Sequence, residues 1–173
     1  CTSSAASDVY KRQINLYIKR DDCTALAFGG NKTRHLEFIM AKTLSGKYDC
    51  ILTGAASQSN FCRQAVAAAN KLNLDSYLVL MHGVKGKLMQ GNFLLYNILG
   101  ANVDVVDGEN LENIPKHLDK KYDELIKEGR KPLLIYGGFG EEDTTLAGIS
   151  YANTMAEIDK QMKYQNFIAD HLF

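Results

Sequence analysis

The segment at residues 49–72 reads DCILTGAASQSNFCRQAVAAANKL and contains a strand, a short loop and a helix in that order. Its first five residues, DCILT, have the apolar Cys50, Ile51 and Leu52 at their centre, which is typical of a buried strand. A loop of small residues at 54–58 follows, and an alanine-rich run at 59–72 favours a helix. Such units build parallel sheets, in which the loop lies at the carboxyl end of the strand.

The same alternation of strand and helix runs through most of the chain. Residues 14–18 alternate apolar and polar side chains, as in a half-buried strand, and a helix opens at residues 31–34. The remaining strands are predicted at 76–81, 102–106 and 132–136, and the remaining helices at 87–99, 111–128 and 144–164. An apolar stretch at 167–173 predicts one more strand. This order predicts an α/β fold of the three-layer α/β/α type, in which a parallel sheet carries helices on both faces.

The composition excludes several classes of function. Of the 173 residues, 46% are hydrophobic and 23% are charged, as in ordinary globular proteins. The formal net charge is zero, which argues against a nucleic-acid or anionic-membrane partner. No apolar run is long enough to span a membrane. The four cysteines and four histidines show no zinc-ligand spacing, so we expect no metal and free thiols in a cytoplasmic protein.

Residues 1–13 differ from the rest of the chain. They lack the apolar core of a signal peptide, and they show no helical or strand periodicity. We interpret them as a segment foreign to the natural protein, which we expect to begin at about Ile14, and exclude them from the predicted fold.

The first segment that could carry chemistry is FGGNKTRHLE, residues 28–37. Gly29 and Gly30 allow a sharp turn and a close approach to a ligand, and Lys32 follows at the start of a helix. A helix start and a desolvated pocket both favour a neutral amine, which is the nucleophile that a Schiff base requires. The alternative is a solvated lysine at a helix start. The segment does not match a P-loop, which requires GxxxxGK[ST].

The second such segment is TGAASQSNFCR, residues 53–63, between a strand and a helix. Ligands of open α/β sheets bind at this place, where backbone N–H groups hold carboxylates or phosphates. Gln58, Ser59 and Asn60 add polar side chains at the same point. The alternative is simple capping of the helix by Ser57 or Ser59.

Taken together, the two segments resemble a family of fold-type-II pyridoxal-phosphate enzymes, the 1-aminocyclopropane-1-carboxylate deaminases and D-cysteine desulfhydrases. The matching motifs are KRDD at residues 19–22, GGNKTRHLE at 29–37, QSNFCRQ at 58–64 and GNFLL at 91–95. The resemblance continues through the Gly137-Gly138 turn and covers nearly everything from residue 14 to residue 173.

The resemblance implies a role for each residue of these motifs. Lys32 matches the Schiff-base lysine that also moves the α-proton. Asn60 matches the residue that hydrogen-bonds the 3′-oxygen of the cofactor. Ser59 matches a residue credited with carboxylate binding and proton transfer, and Gln58 belongs to the cradle of the substrate carboxylate.

Two neighbours of Lys32 complete the expected cofactor site. Asn31 precedes it in the matching motif, and His35 stands where the family usually has a lysine near the cofactor phosphate. We assign both to cofactor binding. The glycine-rich loop that cups the phosphate in the family would follow residue 173, so we expect that the chain lacks it.

The resemblance also implies a domain division and an activity. Residues 14–48 and 151–173 would belong to a large domain and residues 49–150 to a small one, with the cofactor between them. The expected reaction is β-elimination from a small amino acid, with D-cysteine giving pyruvate, ammonia and hydrogen sulfide. Deamination of 1-aminocyclopropane-1-carboxylate is the alternative within the family. Outside it, the chain would be a non-catalytic anion-binding module or an inactive fragment. The family also implies a homodimer.

Overall fold

A computed structural model describes residues 2–9, 12–82, 88–108 and 110–173 of the chain. In chain order its strands and helices are β1 (Thr2–Val9), β2 (Arg12–Lys19), α1 (Lys32–Ser45), β3 (Cys50–Ala56), α2 (Asn60–Lys71), β4 (Asp75–Met81), α3 (Gly91–Ile98), β5 (Asn102–Val106), α4 (Ile114–Lys127), β6 (Pro132–Ile135) and α5 (Glu141–Gln165). The pair β1-β2 is antiparallel. The other four strands form a parallel sheet in the order β5-β4-β3-β6.

Helices cover both faces of the parallel sheet, so the predicted α/β architecture is confirmed. Side chains of neighbouring strand positions point to opposite faces, which gives each face its own apolar cluster. One face packs against α4 through Leu52, Val79, Met81, Ile114, Leu118 and Leu125. The other face packs against α1, α2 and α3, with the strand residues Ile51, Leu78, Leu80, Leu133 and Ile135. The strand β3 is central because it pairs with both β4 and β6.

Three predicted boundaries were wrong, and each has a local cause. The helix predicted from residue 87 begins at Gly91 because Gln90 is extended (φ −147°, ψ 168°); Lys87 itself lies outside the described residues. A 3₁₀ turn occupies residues 111–113, and α4 follows it with a proline in its first turn, a position that needs no backbone donor. The last helix begins three residues before the predicted 144, because Glu141 and its acidic neighbours favour a helix start.

The two ends of the chain also differ from the predictions. Residues 167–173 form neither strand nor helix, although an apolar strand was predicted there. The strand predicted at residues 14–18 is confirmed as part of β2. Its partner β1 was not predicted, since TSSAASDV lacks an apolar alternation and its pairing is made by the backbone. The interpretation of residues 1–13 as foreign stays a prediction.

An ion-pair network joins the first part of the chain to α5. Arg34 binds Asp21 through two nitrogens, at 2.7 and 2.8 Å, and donates through a third to Glu157 at 2.7 Å. Lys19 binds the other oxygen of Glu157 at 2.5 Å. These contacts connect residues 14–48 with 151–173, the two stretches that the sequence assigns to one domain. The domain division itself stays a prediction.

Two further predictions concern cysteines and membrane spans. Cys23, Cys50 and Cys62 are free, whereas Cys1 lies outside the described residues. Within the described ranges, no helix combines the length and the apolar character that crossing a bilayer requires.

The central position of β3 predicts a large cost for truncating its core side chain. Leu52 is 0% exposed, so Leu52→Ala leaves a cavity between β3 and α4. We expect the free energy of unfolding to fall by about 2–5 kcal/mol, measured by equilibrium urea denaturation. Leu44→Ala is the control, because Leu44 is 55% exposed on α1. Equal losses for the two variants would contradict this account of the core.

Candidate active site

A cavity of about 310 Å³ lies at the carboxyl ends of β3 and β6. It is lined by the starts of α1, α2 and α5 and by the turns that precede them; the lining residues are Lys32, His35, Gly54, Ala55, Ser59, Phe61, Tyr136, Gly137, Gly138, Asp143, Thr144 and Ala147. This is the edge of a parallel sheet at which ligands of α/β proteins bind. The structure therefore brings three of the predicted site residues, Lys32, His35 and Ser59, into one cavity.

Lys32 is placed by a turn that only glycine can form. Gly29 has a φ of +74° and Gly30 a φ of +132°, both in the region that side chains disfavour. A Cβ at Gly29 would lie 2.0 Å from the backbone oxygen of Asp22. A Cβ at Gly30 would lie 2.6 Å from Nε2 of Gln64. The two glycines therefore allow the chain to enter α1 with Lys32 as its first residue.

The turn before Lys32 is held against α2. The backbone oxygen of Gly29 accepts hydrogen bonds from Nη2 of Arg63, at 3.0 Å, and from Nε2 of Gln64. Oγ1 of Thr33 donates to Oε1 of Gln64 at 3.2 Å. Gln64 is fully buried, so these bonds form in a site that excludes water and strengthens them. The positions of α1 and α2 are thus coupled at their N-termini.

Asn31 contacts α5 instead of capping α1. Its Nδ2 donates to the hydroxyl of Tyr151 at 2.6 Å, and no side-chain cap closes the start of α1. This bond brings Tyr151 of α5 against the residue that precedes Lys32. The role of Asn31 in cofactor binding stays a prediction.

Ser59 caps α2 and lines the cavity at the same time. Its Oγ accepts from the backbone N–H of Cys62 at 3.3 Å, so the capping interpretation is confirmed for Ser59 and not for Ser57. Ser57 is buried, and its hydroxyl faces the backbone oxygen of His82 at 3.4 Å. A hydroxyl that accepts one bond still has its own proton to donate. Capping therefore leaves Ser59 able to donate to a ligand.

Gln58 and Asn60 lie outside the cavity lining and face α3. Gln58 donates through Nε2 to the backbone oxygen of Gln90 at 3.0 Å, and its Oε1 accepts from the backbone N–H of Asn92 at 2.9 Å. Oδ1 of Asn60 accepts from Nδ2 of Asn92 at 3.0 Å. Gln58 could cradle a carboxylate with its side chain only by giving up these bonds to α3. The substrate role of both residues stays a prediction.

Two titratable groups share the cavity with Lys32. His35 is 8% exposed, burial lowers the pKa of its imidazole, and Nε2 has no hydrogen-bond partner within the described part of the chain. Asp143 is also 8% exposed, and burial raises the pKa of its carboxyl group. Its Oδ2 accepts from the backbone N–H of Gly137 at 3.0 Å. No local pattern marks Asp143 as a site residue, since it ends an acidic run, Glu141-Glu142-Asp143, of the kind usually found at solvated helix starts.

Tyr136 forms the wall of the cavity on the side of α4. Its hydroxyl donates to Asp119, and this hydrogen bond raises the pKa of Tyr136 to about 12. The bond fixes the ring in place. No local pattern marks Tyr136 as a site residue, because Asp119 and Tyr136 meet only when α4 packs beside β6.

Comparison with known proteins identifies the family. Residues 3–172 match the family described as pyridoxal-phosphate dependent enzymes. The chain belongs to this family. A bifunctional mitochondrial D-cysteine desulfhydrase/1-aminocyclopropane-1-carboxylate deaminase from Arabidopsis thaliana is 36% identical over 160 residues, which cover 87% of this chain and 38% of that protein. A D-cysteine desulfhydrase from Klebsiella pneumoniae is 36% identical, with 90% of this chain and 46% of that protein covered.

Solved structures agree with the family and with its fold. The crystal structure of an ACC deaminase homologue has 37% identity and a TM-score of 0.76, and the match covers 85% of this chain and 43% of that one. Diaminopropionate ammonia lyase from Escherichia coli, at 16% identity and a TM-score of 0.64, shares the fold. The fold-type-II assignment is therefore confirmed. The chain spans less than half the length of the relatives it matches.

The residues of the cavity suit pyridoxal phosphate. The cofactor carries an aldehyde and several anionic groups, so it needs an amine and hydrogen-bond donors. Lys32 supplies the amine, Ser59 a hydroxyl, and α2 the N-terminus of a helix. His35 adds a buried nitrogen, Nε2, that no described residue engages. This donor set fits the cofactor that the family requires.

The buried carboxyl group of Asp143 predicts a pH dependence of stability. Because burial raises its pKa, the folded state binds this proton more tightly than the unfolded state. The stability linked to the proton is complete below the ordinary aspartate pKa and is lost as the pH rises through the raised value. As the pH rises from below the ordinary aspartate pKa, about 4, through the raised value, the wild type should therefore lose stability relative to Asp143→Asn.

The measurement is urea denaturation of both proteins across this pH range. Asp159→Asn is the control, because it changes an exposed aspartate of the same helix, paired with Lys163. A difference between Asp143→Asn and the wild type that stays constant with pH would contradict the buried carboxyl group.

Proposed function

We propose that the full-length protein uses pyridoxal phosphate for β-elimination from a small amino acid, with D-cysteine as the substrate. In this reaction D-cysteine and water give pyruvate, ammonia and hydrogen sulfide. The observation that carries the proposal is the placement of Lys32 and Ser59 in one cavity at the carboxyl end of β3. The names of the curated relatives support the choice of reaction.

Lys32 has the position of a nucleophile and a base. It begins α1, is half-buried, and is held by the turn that α2 fixes. Its amine would bind the aldehyde of the cofactor and, once displaced by the substrate amine, would take the α-proton. The cofactor, when bound, supplies an electron sink for the resulting carbanion. His35 and Asp143 share the cavity with Lys32, and burial lowers the pKa of the imidazole and raises that of the carboxyl group.

Ser59 and the start of α2 would bind the substrate carboxylate. The first N–H groups of a helix have no partner within the helix and carry a partial positive charge. Ser59 accepts one bond from this helix and keeps its proton for a ligand. Its place beside Lys32 also suits it to pass a proton to or from the substrate. Asn60, as the next residue, would contact the cofactor.

The second candidate is the deamination of 1-aminocyclopropane-1-carboxylate. The relative from Arabidopsis thaliana bears both activities in its name, and the two substrates share the carboxylate and the amine that Lys32 and Ser59 would bind. A non-catalytic module that binds an anion at the start of α2 remains the alternative from another class. Activity is proposed for the full-length protein, since this chain spans less than half of its relatives. A homodimer and a cytoplasmic location stay predictions.

The role of Lys32 predicts a specific spectroscopic change. In the full-length protein, Lys32→Ala should abolish the visible absorbance that develops with pyridoxal phosphate and lower sulfide release from D-cysteine by at least about 1,000-fold. Borohydride reduction of the wild type should fix the cofactor on the peptide that contains Lys32, as detected by mass spectrometry. Lys42→Ala is the control, because Lys42 lies on the same helix and pairs with Glu142. Wild-type absorbance in Lys32→Ala would exclude the proposal.

The two substrates are separated by their products. D-Cysteine is expected to yield sulfide and pyruvate, whereas 1-aminocyclopropane-1-carboxylate would yield 2-oxobutyrate and ammonia. We expect kcat/KM for D-cysteine to exceed that for the cyclopropane amino acid. The reverse order would assign the protein to the second candidate, and a Lys32-dependent spectrum without either product would point to another amino acid.

A further inference from the structure

Asn92, the second residue of α3, makes three hydrogen bonds to the start of α2. Its Nδ2 donates to the backbone oxygen of Gln58 at 2.8 Å and to Oδ1 of Asn60 at 3.0 Å. Its backbone N–H donates to Oε1 of Gln58 at 2.9 Å. In the sequence Asn92 is marked only by its place in GNFLL, where no chemical role was assigned to it.

The amide of Asn92 can take only one orientation. The backbone oxygen of Gln58 can only accept a hydrogen bond, so the Asn92 atom that faces it must be the NH₂ group. On the other side, Nη1 of Arg63 can only donate, at 3.4 Å, so the Asn92 atom that faces it must be Oδ1. The orientation therefore follows from the chemistry of the two partners.

The orientation of Asn92 fixes that of Asn60. Since Asn92 presents NH₂, Asn60 must turn its own oxygen toward it. Within the ranges that the structure describes, Nδ2 of Asn60 donates no hydrogen bond. Asn60 is exposed and stands between Ser59 and Phe61, which both line the cavity. The part of Asn60 left for a ligand is thus a donor, and an acceptor oxygen is what it can bind.

We infer that Asn92 is a positioning residue that holds Asn60 as a hydrogen-bond donor to an anionic oxygen of the bound cofactor. The inference rests on the proposed function, which places the cofactor beside Asn60. A freely turning amide would present its oxygen part of the time, and this oxygen would repel an anion. Asn92 removes that second orientation without touching the ligand itself.

The same cluster joins this donor to Lys32. Arg63 donates through Nη1 to Asn92 and through Nη2 to the backbone oxygen of Gly29, at 3.0 Å. Gly29 belongs to the turn that places Lys32. One guanidinium therefore links the residue that orients Asn60 to the turn that positions the amine, so the donor and the amine keep a fixed relation.

The test compares two asparagines of α3 in the full-length protein. Asn92→Ala removes the donor to Asn60, whereas the control Asn97→Ala removes a donor that reaches the backbone oxygen of Phe93 at 2.8 Å, within the same helix. The probe is pyridoxal phosphate. The two measurements are its Kd for the protein and the midpoint pH at which the absorbance of the bound cofactor has made half of its change. Hydrogen-bond donors to an anionic oxygen favour the ionised form of the group that carries this oxygen. Asn92→Ala should therefore raise the midpoint and weaken the Kd about threefold to tenfold, and Asn97→Ala should change neither.

A double variant separates positioning from a general structural effect. On an Asn60→Ala background, Asn92→Ala should cause no further shift of the midpoint, because the amide that it orients is gone. An unchanged midpoint in Asn92→Ala, or a full further shift on the Asn60→Ala background, would overturn the inference and leave the proposed function intact. A wild type without Lys32-dependent absorbance would overturn the proposed function, and the inference with it.

A melting curve of each variant shows whether it folds. If Asn92→Ala does not fold, Asn92→Asp is compared with Asn97→Asp, which adds the same charge to the same helix. An aspartate near a helix start favours the helix, and it keeps the acceptor for Arg63. The midpoint should rise more in Asn92→Asp than in Asn97→Asp, and equal shifts would overturn the inference.

Discussion

The backbone oxygen of Gly29 receives two side-chain hydrogen bonds from α2, and the geometry of the whole site depends on them. Arg63 and Gln64 hold this oxygen while the glycine takes a backbone conformation that a side chain would forbid. The turn is thereby attached to the helix whose start would bind the substrate carboxylate in the proposed function. Without this attachment, the start of α1 and the start of α2 would be two separate helix ends, and Lys32 would have no fixed distance to Ser59.

The electrostatic environment of the cavity is determined by the groups that line it, because the chain as a whole has a formal net charge of zero. Burial lowers the pKa of His35 and raises that of Asp143, so both changes favour neutral groups. A polar group left unpaired in a buried site costs free energy, so a ligand there must match each donor with an acceptor. Discrimination between ligands then depends on which atom donates and which accepts. This is the reason that the orientation of a single amide matters here.

Much of the fold follows from local patterns, whereas half of the site does not. The parallel strands and most helices could be predicted because apolar periodicity is a property of neighbouring residues. Lys32 and Ser59 could be found for the same reason, since each lies at a helix start beside small residues. The hydrogen bonds of Gln58 and Asn60 to α3 could not, because their partners lie about 30 residues away and only the packing of α3 brings them near.

Asp143 shows that an acidic run in the sequence does not predict which of its residues is buried. Its two acidic neighbours, Glu141 and Glu142, are exposed, as the pattern predicts, and only the third carboxylate turns inward. The direction is set by the turn at Gly137, whose N–H the carboxylate accepts. Burial of one residue in a charged run is a tertiary event. The start of α3 is a similar case, since the extended backbone of Gln90 shortens a helix that composition alone would extend.

The ion-pair network around Glu157 has a consequence for the order of folding. Lys19 and Arg34 are separated from Glu157 by 138 and 123 positions along the chain. Contacts that span so much sequence close large loops and form slowly, whereas the strand–helix units between them are local. During synthesis, the parallel sheet can assemble while Lys19 and Arg34 still lack their partner on α5. The contact between the first part of the chain and α5 would then be the last to form.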